Sequence, residues 1–286
     1  MRRTAEFDAF GPWIYQVRSH EDVPRLYHRA GIDPAAHRLV LKIPRDIERR
    51  NANPDMHLYD FLIALDGDAL TILQRQEERY EKVRIPVGQI TALEDSVSLL
   101  DGRLIVHTFA GPTTINYNAT DPRLVRNLIA LLRQSYLPAR AAAAAQSDSR
   151  QPDLGRRDLN LTAAGERLLR AEPGMQLISV GRRRPAGTGH WLRPMTLHAS
   201  ITCADPREIV LLHRRDPLSR GNETAHSVAR TFLPRRRITD VHVEPHEKYP
   251  QINVVTIILG GSTLRFPVQA GPLTDSLVDL LLAVTG

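Results

Sequence analysis

The chain has 286 residues, 42% apolar and 24% charged, with a formal net charge of +6; these are globular values, and the length allows two domains that each bury a core. The start MRRTAEFDAF has no apolar leader and no run approaches the ~18 apolar residues of a membrane span, so a cytoplasmic protein is expected, at most peripherally membrane-associated. The single cysteine, Cys203, excludes an intrachain disulfide and a Cys-rich zinc site, and basicity alone names no partner, because only Lys42, Lys82 and Lys248 among the 38 basic residues are lysines.

In chain order, residues 1–18 carry Phe7, Phe10, Trp13, Ile14 and Tyr15 around Gly11-Pro12, too apolar for a tail and too irregular for a helix. Ser19 with Asp22 predicts a capped helix that Gly31 stops. Strands are expected at 37–43, 58–65 and 69–73, with Asp66-Gly67 as a hairpin turn between the last two. Residues 82–87 and 90–93 read as two strands, or as one kinked at Pro86. A hairpin turning at Asp101-Gly102 and a strand at 113–117 lead to a helix that opens at Asp121-Pro122 and carries Leu124, Leu128, Leu131 and Leu132 on one stripe.

Residues 138–158 are low in apolar content and read as a linker, with alanines 141–145 extending the preceding helix and 147–153 mobile. A similar series follows. A helix is expected at 162–170, strands at 175–180, 196–204, 208–213, 229–233, 238–243, 253–259 and 263–268, and a closing helix at 272–284.

The two series are copies. Pro86 and Ile90-Thr91 fall on Pro234 and Ile238-Thr239 at an offset of 148, and Gly111, Ile115 and Leu128 fall on Gly260, Leu264 and Leu277 at 149. Upstream, Leu58, Asp66 and Arg75 fall on Leu197, Asp205 and Arg214 at 139, which places a nine-residue insertion within 215–228 of the second copy. The domains are therefore expected at 1–137 and 159–286, joined by 138–158. About seven short strands without crossover helices cannot make a parallel sheet, so each copy is expected to be an antiparallel barrel or sandwich capped by its C-terminal helix.

The segment LIALDGDALTIL at 62–73, the step RIPVGQIT at 84–91 and its counterpart FLPRRRIT at 232–239, each followed by a hairpin and a terminal helix, resemble the bacterial pleckstrin-homology-like domains over roughly 37–136 and 175–286. The resemblance implies two tandem PH-like domains and a binding or assembly module rather than a reaction. No nucleophile stands in a recognisable setting and the acids are scattered, so a non-catalytic adaptor or scaffold is expected, with no cofactor or metal, that binds other proteins or itself through a sheet edge or helix groove.

The alternative is peripheral binding to anionic phospholipid. In lipid-binding members of the superfamily the loop after the first strand holds the headgroup, and here that loop carries Lys42, Arg45, Arg49 and Arg50 in one copy and Arg182, Arg183 and Arg184 in the other. Against this, Asp46, Glu48 and Asp55 dilute the first cluster. Arg235 and Arg237 are expected to share one face of a strand as a further basic site. Nucleic acid is disfavoured because no aromatic stacking platform accompanies these arginines. His242, Glu244 and His246 are the one stretch with the flavour of a metal site, and a polar strand end explains them as well.

Overall fold

The computed structural model describes residues 4–139, 150–187, 195–221 and 226–283. The chain is mainly β with few helices, and it closes on a C-terminal helix. The strands are β1 (Tyr15–Gln16), β2 (Leu39–Pro44), β3 (Tyr59–Leu65), β4 (Ala69–Gln76), β5 (Arg79–Pro86), β6 (Ile90–Ser98), β7 (Asp101–Thr108) and β8 (Gly111–Asn118), then β9 (Gln176–Gly181), β10 (Arg184–Pro185), β11 (Met195–Leu197), β12 (Ser200–Ala204), β13 (Glu208–His213), β14 (Leu218–Arg220), β15 (Val228–Pro234), β16 (Asp240–His246), β17 (Tyr249–Leu259) and β18 (Ser262–Gln269). The helices are α1 (Ala5–Asp8), α2 (Arg123–Tyr136), α3 (Leu159–Ala171) and α4 (Pro272–Leu282).

The chain divides into two compact units that do not follow the sequence repeat. One holds Met1–Ile90, Leu100–Leu104 and Thr114–Tyr136; the other holds Thr91–Leu99, Ile105–Thr113 and Leu137–Gly286. In the first unit β1 to β5 form an antiparallel sheet in sequence order, with Leu41 opposite Ile63 and Ile63 opposite Ile72. The apolar N-terminal segment packs on this sheet through Phe10, Val17, Val23 and Tyr27, against Leu58, Leu62 and Leu73. The expected helix after Ser19 is instead two 3-10 pieces, His20–Asp22 and Arg25–Ala30, because Pro24 between them has no N–H to continue a helix. Ser19 and Asp22 do form the reciprocal cap, and Gly31 ends the segment at φ +69°.

In the second unit the strands run β8-β7-β6-β15-β13-β12-β9, into which β7 and β8 enter with residues 105–108 and 111–113. β6 thus adds to the edge of the second copy's sheet, with Leu93 opposite Phe232, Asp95 opposite Arg230 and Val97 opposite Val228. β16, β17 and β18 make a separate antiparallel sheet, and β10, β11 and β14 a small one built on the insertion. Ala92, Leu211, Leu233, Val255, Ile257, Phe266, Leu277 and Leu281 form one core between these sheets and α4.

Repeated sequence gives repeated hydrogen bonds. Asp66 N donates to Ala69 O and Asp205 N to Glu208 O, both at 3.0 Å. Asp66 Oδ1 accepts from Asp68 N and Ala69 N, as Asp205 Oδ1 does from Arg207 N and Glu208 N. After Pro86 and Pro234 the chain turns through a single 3-10 turn, Val87–Gln89 and Arg235–Arg237, before the next strand. These corners hold the same bond, Val87 N to Asp68 O at 2.7 Å and Arg235 N to Arg207 O at 2.9 Å.

Two local expectations change. The hairpin between β6 and β7 turns at Leu99-Leu100, with Leu99 at φ +55°, and Asp101-Gly102 lies in β7. Gly102 leaves room for the Tyr117 ring: a Cβ there would sit 2.3 Å from Tyr117 Cε2. The stretch expected at 196–204 is two strands, β11 and β12, in different sheets. Of the low-complexity stretch, 141–145 and 147–149 lie outside the described residues, whereas Pro152, Leu154 and Asp158 are buried.

Candidate anion site

The site is built where the second copy begins. Gly155, at φ +80°, turns the chain into a 3-10 turn, Arg156–Asp158, that runs directly into α3. α3 lies close to its surroundings because Gly165 has no side chain: a Cβ there would be 2.9 Å from Ile201 Cδ1 and 3.1 Å from Pro152 Cγ. Asp158 stands at the N-cap position, yet its carboxylate makes no capping bond to the helix. It pairs with Arg214, and both side chains are fully buried. Arg214 also donates to Ser227 O at 2.5 Å and to Asn160 Oδ1 at 2.9 Å.

This pair replaces one found in the first copy. Arg75, the repeat counterpart of Arg214, bonds Asp60 on the neighbouring strand at 2.8 Å. The position matching Asp60 at the offset of 139 is Ala199. The second copy has therefore recruited its carboxylate from the approach to α3, and this anchors residues 155–158 beside the end of β9.

In front of that anchor is a cavity of about 550 Å³ lined by Arg156, Arg157, Arg182, Arg183 and Arg184, with Asp158 of the anchor also in its lining. Leu154, Pro185 and Met195 supply its apolar wall. Arg182 bonds Asp153 Oδ2 at 2.7 Å, an exposed pair. Arg183 is partly buried; burial pulls its proton affinity down, Asp158 opposes this, and the Arg157 and Arg214 charges add to it. Crowding of like charge around an incompletely hydrated guanidinium is relieved by an anion. Guanidinium forks match phosphate oxygens in pairs, and the N-terminal end of α3 adds its partial positive charge. The arrangement can bind an anion.

The other basic residues singled out from sequence are engaged elsewhere. Lys42 Nζ donates to Asp22 O at 2.8 Å and lies 5.0 Å from the Tyr59 ring centroid, and burial lowers its pKa against the opposing charges of Asp22 and Glu6. Arg45 donates to His57 O, Arg49 to Phe10 O while lying over the Phe7 ring, and Arg50 pairs with Glu48. Lys42, Arg45 and Arg49 hold the loop to its surroundings, Arg50 is exposed on a pair within the loop, and the four do not converge on one cavity. Arg235 and Arg237 do not alternate along a strand, since Pro234 ends β15 and both fall on the 3-10 turn. Arg235 donates to Asp205 O at 2.8 Å and reaches Leu280 O in the last turn of α4, and Arg237 lies over Phe109 at 5.4 Å. His242 Nε2 is 3.3 Å from Asp240 Oδ2, and among the described residues no three His, Cys, Asp or Glu side chains are grouped to hold a metal ion.

Sequence reading missed Arg156 and Arg157, which lie in a stretch with no periodicity. Their only signal was an Arg-Arg-Asp run immediately before an amphipathic segment.

Burial lowers the proton affinity of three histidines of the same unit. His107, His198 and His213 are buried, and burial lowers each pKa; Arg183 and Arg214 reinforce this at His198, while Glu94 opposes it at His107 and His213. The unfolded chain, with imidazoles near 6.5, therefore takes up protons that the fold refuses. This stability contribution is present above pH 6.5 and is lost as pH falls below it toward the lowered folded values. Calorimetric melting of the full chain should shift downward between about pH 7.5 and pH 5.5, with a smaller shift in His213→Gln; an unchanged profile would mean that these rings take up their protons within the fold.

Compared with known proteins, the chain matches no family model and no curated relative.

Proposed function

We propose that this chain is a non-catalytic binding module of two tandem PH-like domains, and that its second copy seats a phosphate-bearing anion among Arg156, Arg157, Arg182, Arg183 and Arg184. The fold assignment is supported by the shared plan of the copies: antiparallel strands, a proline-led 3-10 corner, three more strands and a terminal helix. The functional reading is carried by one observation, the lining of a single cavity by five arginines. Among the described residues no aromatic side chain lines it. Among the described residues no helix is long and apolar enough to cross a membrane, so any membrane contact by the described helices would be peripheral.

Partner proteins, or a second copy of the chain, form the second reading, through β5 and β16, each the outermost strand of its sheet. Such edges offer unpaired backbone groups. Here they also carry Arg79, Glu81, Lys82 and Arg84, and Asp240, Glu244 and Pro245, which blunt backbone pairing. The cavity is therefore placed first.

The test is sedimentation of the full chain with phosphatidylcholine vesicles of rising phosphatidylglycerol content, beside Arg156→Gln/Arg157→Gln/Arg184→Gln. At about 1 kcal/mol per arginine near an anionic surface, the triple variant should bind about 100-fold more weakly. Equal binding by both proteins, or none at physiological salt, would remove the lipid reading and leave a free phosphate compound or the strand edges.

A further inference from the structure

The segment that brings Arg156 and Arg157 to the cavity also sets an acid, Asp153, on the lining residue Arg182. Asp153 Oδ2 accepts from Arg182 Nη2 at 2.7 Å, and Arg182 Nε donates to the Asp153 carbonyl at 3.3 Å. The Asp153 side chain is 75% exposed and that of Arg182 64%, so water and solutes reach the pair. Its position is fixed by neighbours. Pro152 packs at Gly165, Leu154 is buried, and Asp153 Oδ1 accepts from Gly155 N at 3.0 Å. A carboxylate is thus held on one of the five guanidiniums by a backbone anchored on both sides. Arg156, Arg157 and Arg184 also line the cavity, and of these Arg184 Nε is buried without a hydrogen-bond partner among the described residues.

We infer that Asp153 is an internal competitor for the ligand of this cavity, occupying Arg182 until a phosphate-bearing anion displaces it. The inference rests on the anion-binding reading above and adds the regulation of that site. An exposed ion pair is worth about 0.2–1 kcal/mol, so the pair weakens a ligand without blocking it. The segment joining the copies then acts as a threshold: ligands with too little charge to replace the carboxylate at Arg182 are held less well than they would be without it.

Asp153→Asn keeps the acceptor for Gly155 N and removes the charge. Titration calorimetry of the full-length chain with sodium tripolyphosphate tests a free phosphate compound, and vesicles of phosphatidylcholine with phosphatidylglycerol test a lipid headgroup. Asp153→Asn should bind at least one of these probes about two- to fivefold more tightly than the natural chain, and the gain should shrink at high salt. Glu166→Gln, which removes an equal charge from the face of α3 that pairs with Arg170 at 3.4 Å, should change binding little. Equal gains in the two variants, or none in Asp153→Asn, would overturn the competitor role; the cavity reading would survive if the triple arginine variant still lost binding. Binding by Asp153→Asn alone would support the competitor strongly. Failure of both probes with every protein would remove the cavity reading, and the competitor with it.

Discussion

Arg214→Met should lower the melting temperature of the full chain by about 10 °C, the consequence of losing about 3–5 kcal/mol in a unit of this size. The reason is that Asp158 would remain fully buried with its charge partner gone, and Ser227 O and Asn160 Oδ1 would lose their donor as well. Breaking a buried pair from one side costs far more than removing both sides, since the strained species is the uncompensated ion. Arg214→Met/Asp158→Leu should therefore recover a large part of the loss. Equal melting of the single and double variants would show that the cost comes from misplacing α3 rather than from a stranded charge. The same series read with the anion probes separates anchoring from binding: Arg214 stands behind the cavity, so its loss should weaken binding only as far as residues 155–158 move.

Cutting the chain at the apparent linker should do more damage still. A fragment of residues 150–286 contains the whole second copy, yet it lacks β6, whose residues 93–97 pair with β15 at five positions. Ala92, Leu93 and Val106 are fully buried members of the unit, and the two larger side chains are each worth about 1.5–3 kcal/mol when covered. Polar contacts go with them. Arg215 donates to Ser96 O at 3.0 Å and Ser262 Oγ to Thr108 O at 2.6 Å. Gly261 lies so near Phe109 that a Cβ on it would be 1.7 Å from Phe109 O, a fit that has meaning only with residue 109 present. The fragment should aggregate or lose a cooperative urea transition, because the edge of β15 from Val228 to Phe232 loses its partner strand while β13 remains on the other side. A sharp transition at the full chain's midpoint would show that the second copy does not depend on β6.

Both expectations turn on residues whose role the chain's linear order conceals. Most of the strands and the Asp66-Gly67 turn were legible, since they depend on neighbours in sequence. Propensity and short-range hydrogen bonds decide such features, and the same residues produced the same bonds in each copy. The single 3-10 turn after Pro234 was less legible. Proline announces a break in the strand but leaves open how the chain continues, so Arg235 and Arg237 were placed on a common strand face and lie instead on a turn, one over the end of α4 and one over Phe109.

Three of the five arginines of the candidate site could be read and two could not. Arg182, Arg183 and Arg184 stood out as a run at an equivalent place in the repeat, whereas Lys42, Arg45, Arg49 and Arg50 looked similar and proved to be tied to backbone carbonyls, aromatic rings and Glu48. Charge composition does not tell a solvated arginine from one already satisfied, because satisfaction depends on carbonyls brought up from tens of residues away.

By itself, the sequence showed an internal repeat and a mainly β pattern, where most of its strands and its last two long helices fall, and which runs are basic. Periodicity and repetition are local quantities, written along the chain. Only the tertiary structure decided that β6 completes the second copy's sheet, that Asp158 answers Arg214 across 56 residues, and that Arg156 and Arg157 face the same cavity as Arg182, Arg183 and Arg184. Each of these is a pairing between distant segments, chosen by which edge needs a partner strand and which buried charge needs a counter-charge, and no local pattern encodes that choice.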